Sequence, residues 1–301
     1  MKLKYSLYVF IGACSYGILS TFVKLAYAQG FIHREVISSQ FLVGWFLLLL
    51  LFLFIRKQKV SRKHFFLLLG AGTTTSLTGI FYYLALETIP ASLAIILLFQ
   101  FTWIGVFIEA VTDRKWPSKT KLISIAIIFI GTLLAAGPLL QVTSEMTLTG
   151  LIYGLIAAFS FAWFIFLSGK VALSVHPMTR SFLFITGAMI LTLILFPPTF
   201  ILSGAIQEGL WIYALPLGFF GLVLPTILFA VGVPKIGTGL GTILGAAELP
   251  TAVIMSVLVL KEYVSFLQWM GVLLILMAII YSQHQNLITE LSKKKKLETN
   301  K

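Results

Sequence analysis

Ten mainly apolar stretches follow one another from Tyr5 to Gln283, separated by short polar turns. A stretch of about 20 such residues, wound as a helix, crosses roughly 30 Å of hydrocarbon. The pattern predicts spans near 5–27, 35–55, 65–86, 91–111, 119–137, 148–169, 178–203, 209–232, 238–260 and 265–283. The expected fold is therefore all-α and integral to the membrane, with ten transmembrane helices. The turns, about 4–12 residues each, leave no room for a large aqueous domain.

Composition agrees with this pattern. The chain is 59% hydrophobic and 11% charged, whereas soluble domains carry about 25% charged residues. Only the segment after Gln283 is polar, with Lys293 to Lys296 close together. Residues 286–301 are expected to form a basic, disordered tail on the membrane surface. One cysteine, Cys14, falls inside the first span, so neither an internal disulfide nor a thiolate metal site is expected. Ala26-Tyr27-Ala28 imitates a signal-peptidase site, but the apolar run before it is too long and holds Lys24. The first helix is read as part of the working protein.

Charge then orients the ladder. Of 22 Lys and Arg, only Lys24, Arg34 and Lys261 fall on one side of the spans. The others are in the alternate turns and at the two termini. Cytoplasmic loops retain Lys and Arg because their transfer across the bilayer is unfavourable. Both termini are thus expected in the cytoplasm, with the chain in the cell membrane. The net charge of +12 reads as topology plus attraction to anionic inner-leaflet lipid. Nucleic acid is a poor partner, because the basic residues are spread over short loops and form no single surface.

Ten spans divide into two sets of five, residues 1–140 and 146–285. An odd number per set makes the second copy enter the bilayer from the other side. Cys14-Ser15-Tyr16-Gly17 through Lys24 aligns with Ser160-Phe161-Ala162-Trp163 through Lys170, which puts the two lysines on opposite sides. Thr78 then aligns with Thr226, and Gln100-Phe101-Thr102 with Glu248-Leu249-Pro250. Inverted copies can exchange tilts around a fixed midplane site, which argues for a carrier.

At the third-to-fourth helix junction stands Tyr82-Tyr83-Leu84-Ala85-Leu86-Glu87-Thr88-Ile89-Pro90-Ala91-Ser92-Leu93-Ala94. At the ninth-to-tenth stand Glu248-Leu249-Pro250 and Leu260-Lys261-Glu262. With the span count, these runs resemble two repeats of the EamA-type transporters of the drug/metabolite transporter superfamily. The resemblance implies ten helices around a central cavity and secondary transport of small metabolites, often export of amino acids or related compounds. The first half departs from the pattern, with Thr102 opposite Pro250 and Arg114 opposite Glu262.

The candidate site follows from polar residues inside spans. Glu248 is near the middle of the ninth. An ionised carboxylate there costs several kcal/mol, from about 2.5 upwards, unless it faces a water-filled cavity or stays protonated. Such a group can carry a proton, meet the amine of a substrate, or serve only as a structural hydrogen bond. Pro250 withholds a backbone donor one turn away. Thr75, Thr78 and Tyr82 share one helical stripe, free to bind a solute or to bond their own backbone. Gln100 is the pseudo-symmetric partner of Glu248, and a buried amide needs partners. Tyr16, Trp103 and Trp163 are interior aromatics that can stack on a flat or cationic solute or simply fill the core. Gly241 and Gly245 form a close-packing seam. Pro225 is a hinge candidate, and Lys24 and Lys170 are symmetric gate or snorkelling residues. Glu109, near a span end, is expected to be neutralised by Arg114 or Lys115.

These features favour a secondary active carrier for a small metabolite or amino acid, working by alternating access in the export direction. Proton coupling through Glu248 is part of that expectation. Uptake of a sugar or other solute is the alternative within the class. A channel, the alternative outside it, would need charge rings or carbonyl filters that the sequence does not show. An enzyme is not expected, since no His-Glu-x-x-His run or Cys/His cluster is present. No cofactor, metal or nucleotide-binding domain is expected either, because no Walker-type loop occurs.

Overall fold

The computed structural model of the protein describes residues 2–55, 59–89, 91–136 and 147–299. Arg56, Lys57, Pro90 and Lys301, and the join between the two sets of spans, lie outside them. All regular structure among the described residues is helical: α1 (Lys2–Ala28), α2 (His33–Leu53), α3 (Arg62–Leu86), α4 (Ala91–Leu98), α5 (Phe101–Asp113), α6 (Lys119–Ala135), α7 (Leu148–Lys170), α8 (Pro177–Leu195), α9 (Leu210–Gly218), α10 (Leu224–Ile236), α11 (Thr238–Gly245), α12 (Glu248–Met255) and α13 (Phe266–Thr299). Nine segments among them are long and apolar enough to cross a membrane. The expected fifth span is α6, with 17 helical residues described.

Several starts follow from capping. The hydroxyls of Ser61, Ser118 and Thr147 accept from the N–H groups of His64, Lys121 and Gly150 at 3.2, 3.3 and 3.1 Å. Each satisfies a donor that has no partner within its own helix.

Four expected spans have different shapes in the structure. The fourth breaks at Phe99–Gln100 and the ninth at Ala246–Ala247. The break is a local tightening, in which Gln100 N–H bonds Leu97 O (3.1 Å) and Ala246 and Ala247 N–H bond Ile243 O (3.2 Å) and Leu244 O (3.1 Å), each three residues back. The seventh ends at Leu195 instead of near 203, because Pro197-Pro198 cannot continue a helix. The last runs on as helix to Thr299. Residues 286–299 of the expected tail are helical here, and their Leu, Glu and Lys residues are good helix formers.

Helix packing follows a recurring plan. α1 lies on α10 and α12, while α7 lies on α3 and on the α4–α5 span. α6 packs mainly on α13. Glycines allow the closest crossings. A Cβ on Gly72 of α3 would run into the Phe184 carbonyl of α8, and one on Gly187 of α8 into the Leu69 carbonyl of α3. Gly44 of α2 and Gly218 of α9 meet in the same reciprocal way.

Side-chain bonds define two ends. One gathers Lys24 with Glu262, His33 with Glu87 (2.9 Å) and Ser203 with Glu35 (2.9 Å). The other, here called the basic end, gathers Glu109 with Lys121 and Thr238, and Asp113 with Lys170. The largest buried cluster runs from mid-bundle to the basic end through Val9, Phe101, Phe161, Phe164, Phe229 and Leu240. Towards the opposite end burial divides into smaller clusters, one around Val23, Phe31 and Leu210 and another around Ala85, Ile89 and Ala94.

Candidate functional site

The break at Ala246–Ala247 places Glu248 as the first residue of α12. Its side chain is partly buried. Among the described residues no hydrogen bond or ion pair to its carboxylate is present. Gly17 of α1 lets that helix approach closely, since a Cβ there would strike the Glu248 carbonyl and Thr251. Tyr16, the next residue on α1, and Tyr82 on α3 both lie within electrostatic reach of Glu248. The Tyr16 hydroxyl is buried with no hydrogen-bond partner among the described residues. Its ring is held edge-on by Phe161 (5.4 Å between centroids), Phe229 (6.1 Å) and Phe164 (6.5 Å). Phe161 also meets Phe101 at 4.6 Å. An acid and two phenols thus lie beside an aromatic layer, in the middle of the bundle.

Thr78 shares the stripe of Tyr82, but its hydroxyl donates to Thr74 O on its own helix (2.8 Å). Thr75, on the same stripe, has a buried hydroxyl without a partner among the described residues. Thr75 is therefore the freer donor of the two.

Gln100, Trp103 and Trp163 are not brought to this cluster. The Gln100 amide is used locally, donating from Nε2 to Ile96 O (2.8 Å) and accepting from Trp103 Nε1 (2.8 Å). The Ile96 carbonyl needs that donor because the tightened turn sends the Gln100 backbone N–H to Leu97. Trp103 is 46% exposed and continues along α5 into exposed Phe107 and Val111. Trp163 lies on the face of α7 turned away from Phe161, next to exposed Phe159 (6.1 Å) and buried Phe166 (5.3 Å). Hydrophobicity alone does not distinguish the two faces of a span whose residues are apolar all round.

The hinge and gate candidates have concrete partners. Pro225 follows a π-helical turn, Phe219–Val223, in which Leu224 N–H bonds Phe219 O. The next carbonyl, Phe220 O, would accept from residue 225, which has no N–H; Ser15 Oγ donates to it instead. Pro234 similarly frees Ala230 O, and Arg180 Nη1 takes it at 3.1 Å. Arg180 Nη2 donates to Ser168 O near the end of α7. This guanidinium is buried, 2% exposed, and bonded to carbonyls. Pro250 has the carbonyls of Ala246 and Ala247 beside it, and Thr251 Oγ1 donates to Ala247 O (3.0 Å). Gly241 and Gly245 pack on Val233, Ile165 and Phe101.

Glu109 pairs with Lys121, and not with Arg114 or Lys115. Its Oε1 accepts from Gly239 N–H (2.9 Å) and Thr238 Oγ1 (3.3 Å), so it holds the N-terminus of α11, where a negative charge is favourable. Lys24 pairs with Glu262 at 2.8 Å and Lys170 with Asp113 at 2.7 Å. Sequence reasoning found the lysines and noted Glu262 only as part of a motif; it missed Asp113, both pairings, and Arg180 as a bonded group. The signal for the acids was the inverted alignment, which puts residues 113–114 opposite 261–262. Among the described residues no group of three or more His, Cys, Asp and Glu is placed to hold a metal ion.

The model of the EamA-like transporter family matches residues 3–137 and again 148–282. A solved crystal structure superposes with a TM-score of 0.74 at 14% identity, covering 94% of this chain and 98% of that one. At that identity the likeness shows the fold alone. No curated protein matches the chain.

Proposed function

The chain belongs to the EamA-like transporter family, and from that premise we propose that it is a ten-span secondary carrier of two inverted five-helix repeats, exporting a small metabolite or amino acid from the cytoplasm. The single observation that carries the reading is the Glu248 carboxylate. It stands at a helix break in mid-bundle, without a hydrogen bond among the described residues, within electrostatic reach of Tyr16 and Tyr82. A charge so placed is costly, so the site gains by taking a proton or a cationic group. Discontinuous helices at the midplane are the usual sites of substrate and coupling ions in such folds.

The packing supports the inverted repeat. Exchanging the halves turns the contact of α1 with α10 into that of α7 with α3, and the α3–α8 glycine crossing into that of α2 with α9. The breaks at 99–100 and 246–247 fall within one residue of each other in the alignment of the two halves. The fifth pair, α6 with α13, completes ten, and 17 residues is the short limit for a span.

In this reading Glu248 exchanges one proton per cycle, Tyr16, Thr75, Thr78 and Tyr82 bind the solute, and Phe161 stacks beside it. Gln100, Trp103 and Trp163 support helix geometry. The basic end faces the cytoplasm and anionic lipid. Pro225, Pro250, Gly241 and Gly245 lie where helices tilt, and Lys24 and Lys170 close the two ends. A thermal-shift screen of amino acids and related metabolites identifies the solute, because a ligand of the native state raises its stability. Transport of the hit into proteoliposomes is then followed against pH. Glu248→Gln should flatten the pH dependence with the protein still folded. An unchanged profile removes Glu248 from coupling, and full activity in Glu248→Leu removes it from the site.

A further inference from the structure

Lys24–Glu262 and Lys170–Asp113 are the same contact made twice. Each joins the closing lysine of one half's first helix to an acid at the end of the other half's fourth span. Beside each acid the chain turns through a left-handed residue, Arg114 (φ 51°) after Asp113 and Lys261 (φ 58°) before Glu262. Neither residue is glycine, so both turns are uncommon for their residue types. One pair lies at the basic end and the other at the opposite end. No residue pattern within a single half produces either contact.

We propose that these two ion pairs are opposed latches, each holding one end of the carrier shut, and that Asp113 and Glu262 are functional residues that set the balance between the two open forms. This deepens the carrier reading and rests on it. In an alternating-access cycle each end parts once, and the first helix of one half must then leave the fourth span of the other at that end. The pairs suit such use. Their side chains are 39–52% exposed, and exposed pairs contribute little, so either can break and re-form each cycle. A pair of that strength shifts a two-state balance about two- to fivefold. Because the latches are at opposite ends, their loss should shift the balance in opposite directions, and loss of both should cancel.

The test needs no substrate. In a Cys14→Ser background, spin labels are placed at exposed positions, Trp116→Cys with Leu173→Cys at the basic end and Leu202→Cys with Tyr263→Cys at the other. Distances are measured in liposomes. Lys170→Gln should raise the share of conformers parted at the basic end about two- to fivefold, and Lys24→Gln should do the same at the opposite end. The double variant should return to the wild-type balance, and the reversed pair Asp113→Lys with Lys170→Asp should restore it too. If Lys170→Gln misfolds, Asp113→Asn removes the same pair with less change in shape. Single variants that part the same end, or a reversed pair that behaves like the single, overturn the latches. Two wild-type conformers whose shares no variant moves also overturn them but leave the carrier standing. One fixed distance at each end in the wild type defeats the carrier reading itself.

Discussion

The Ser15 hydroxyl donates to the carbonyl oxygen of Phe220, the acceptor that Pro225 leaves without a backbone donor. Two sequence features 210 positions apart thus answer one another. Ser15→Ala should cost about 1–2 kcal/mol, the penalty for one buried carbonyl left unpaired. In a Pro225→Ala background the same change should cost about half as much or less, because the introduced alanine restores the N–H. Equilibrium unfolding of the four proteins in detergent measures the coupling. Equal costs in both backgrounds would contradict the pairing.

Arg180 makes the same kind of repair at Pro234, with a charge in place of a hydroxyl. It bridges Ala230 O and Ser168 O, so its loss strands two carbonyls. Arg180→Ala should cost about 2–4 kcal/mol, summing two unmade bonds and lost packing. Lysine should not substitute, since one ammonium cannot reproduce the planar fork that reaches two helices. Adding Pro234→Ala should stabilise the Arg180→Ala protein about 1 kcal/mol more than it stabilises the wild type. Thermal unfolding of the same four-protein set tests this.

The apolar helices and the two repeats were legible because hydrophobic length and repeat spacing are properties of single segments. The face of the candidate site was not. Trp163 and Phe161 are both aromatic, two positions apart on one helix, and only the packing of the bundle makes Phe161 the neighbour of Tyr16. Gln100 aligns with Glu248, yet its amide is spent on the broken turn that it helps to close. The alignment pairs two residues at helix breaks that it did not itself predict, and the chemistry on the two sides differs. Arg114 and Lys115 are Glu109's neighbours in sequence, whereas its partners come from α6 and the start of α11.

The α3–α8 crossing separates glycines that are needed from those that are not. Gly72→Ala and Gly187→Ala each put a methyl against a backbone carbonyl that cannot turn aside, so the helices must part. Loss of about 2–3 kcal/mol or failure to fold is expected, in the range of overpacked cores. Gly70→Ala, two residues from Gly72, meets open space and should be neutral or stabilising by up to about 1 kcal/mol, since alanine is the better helix former. Detergent-solubilised thermal stability of the three variants orders them. A destabilised Gly70→Ala with a tolerant Gly72→Ala would contradict the crossing.

Tyr16 and Trp163 offer the sharpest test of which aromatic belongs to the site. The Tyr16 hydroxyl is buried, has no protein partner among the described residues, and stands near the acid. Such a donor is normally satisfied, and a bound solute or water is what remains to satisfy it. Tyr16→Phe keeps the ring and its three aromatic neighbours, so the fold should be unaffected. Solute affinity should fall about tenfold, the worth of one well-formed hydrogen bond of roughly 1.4 kcal/mol. Trp163→Phe changes a side chain on the far face of α7 and should leave affinity within about twofold of wild type, an energy below about 0.5 kcal/mol. Binding titrations with the solute identified by thermal shift decide between them. A large loss in Trp163→Phe with none in Tyr16→Phe would move the site to the other face of the helix and away from Glu248.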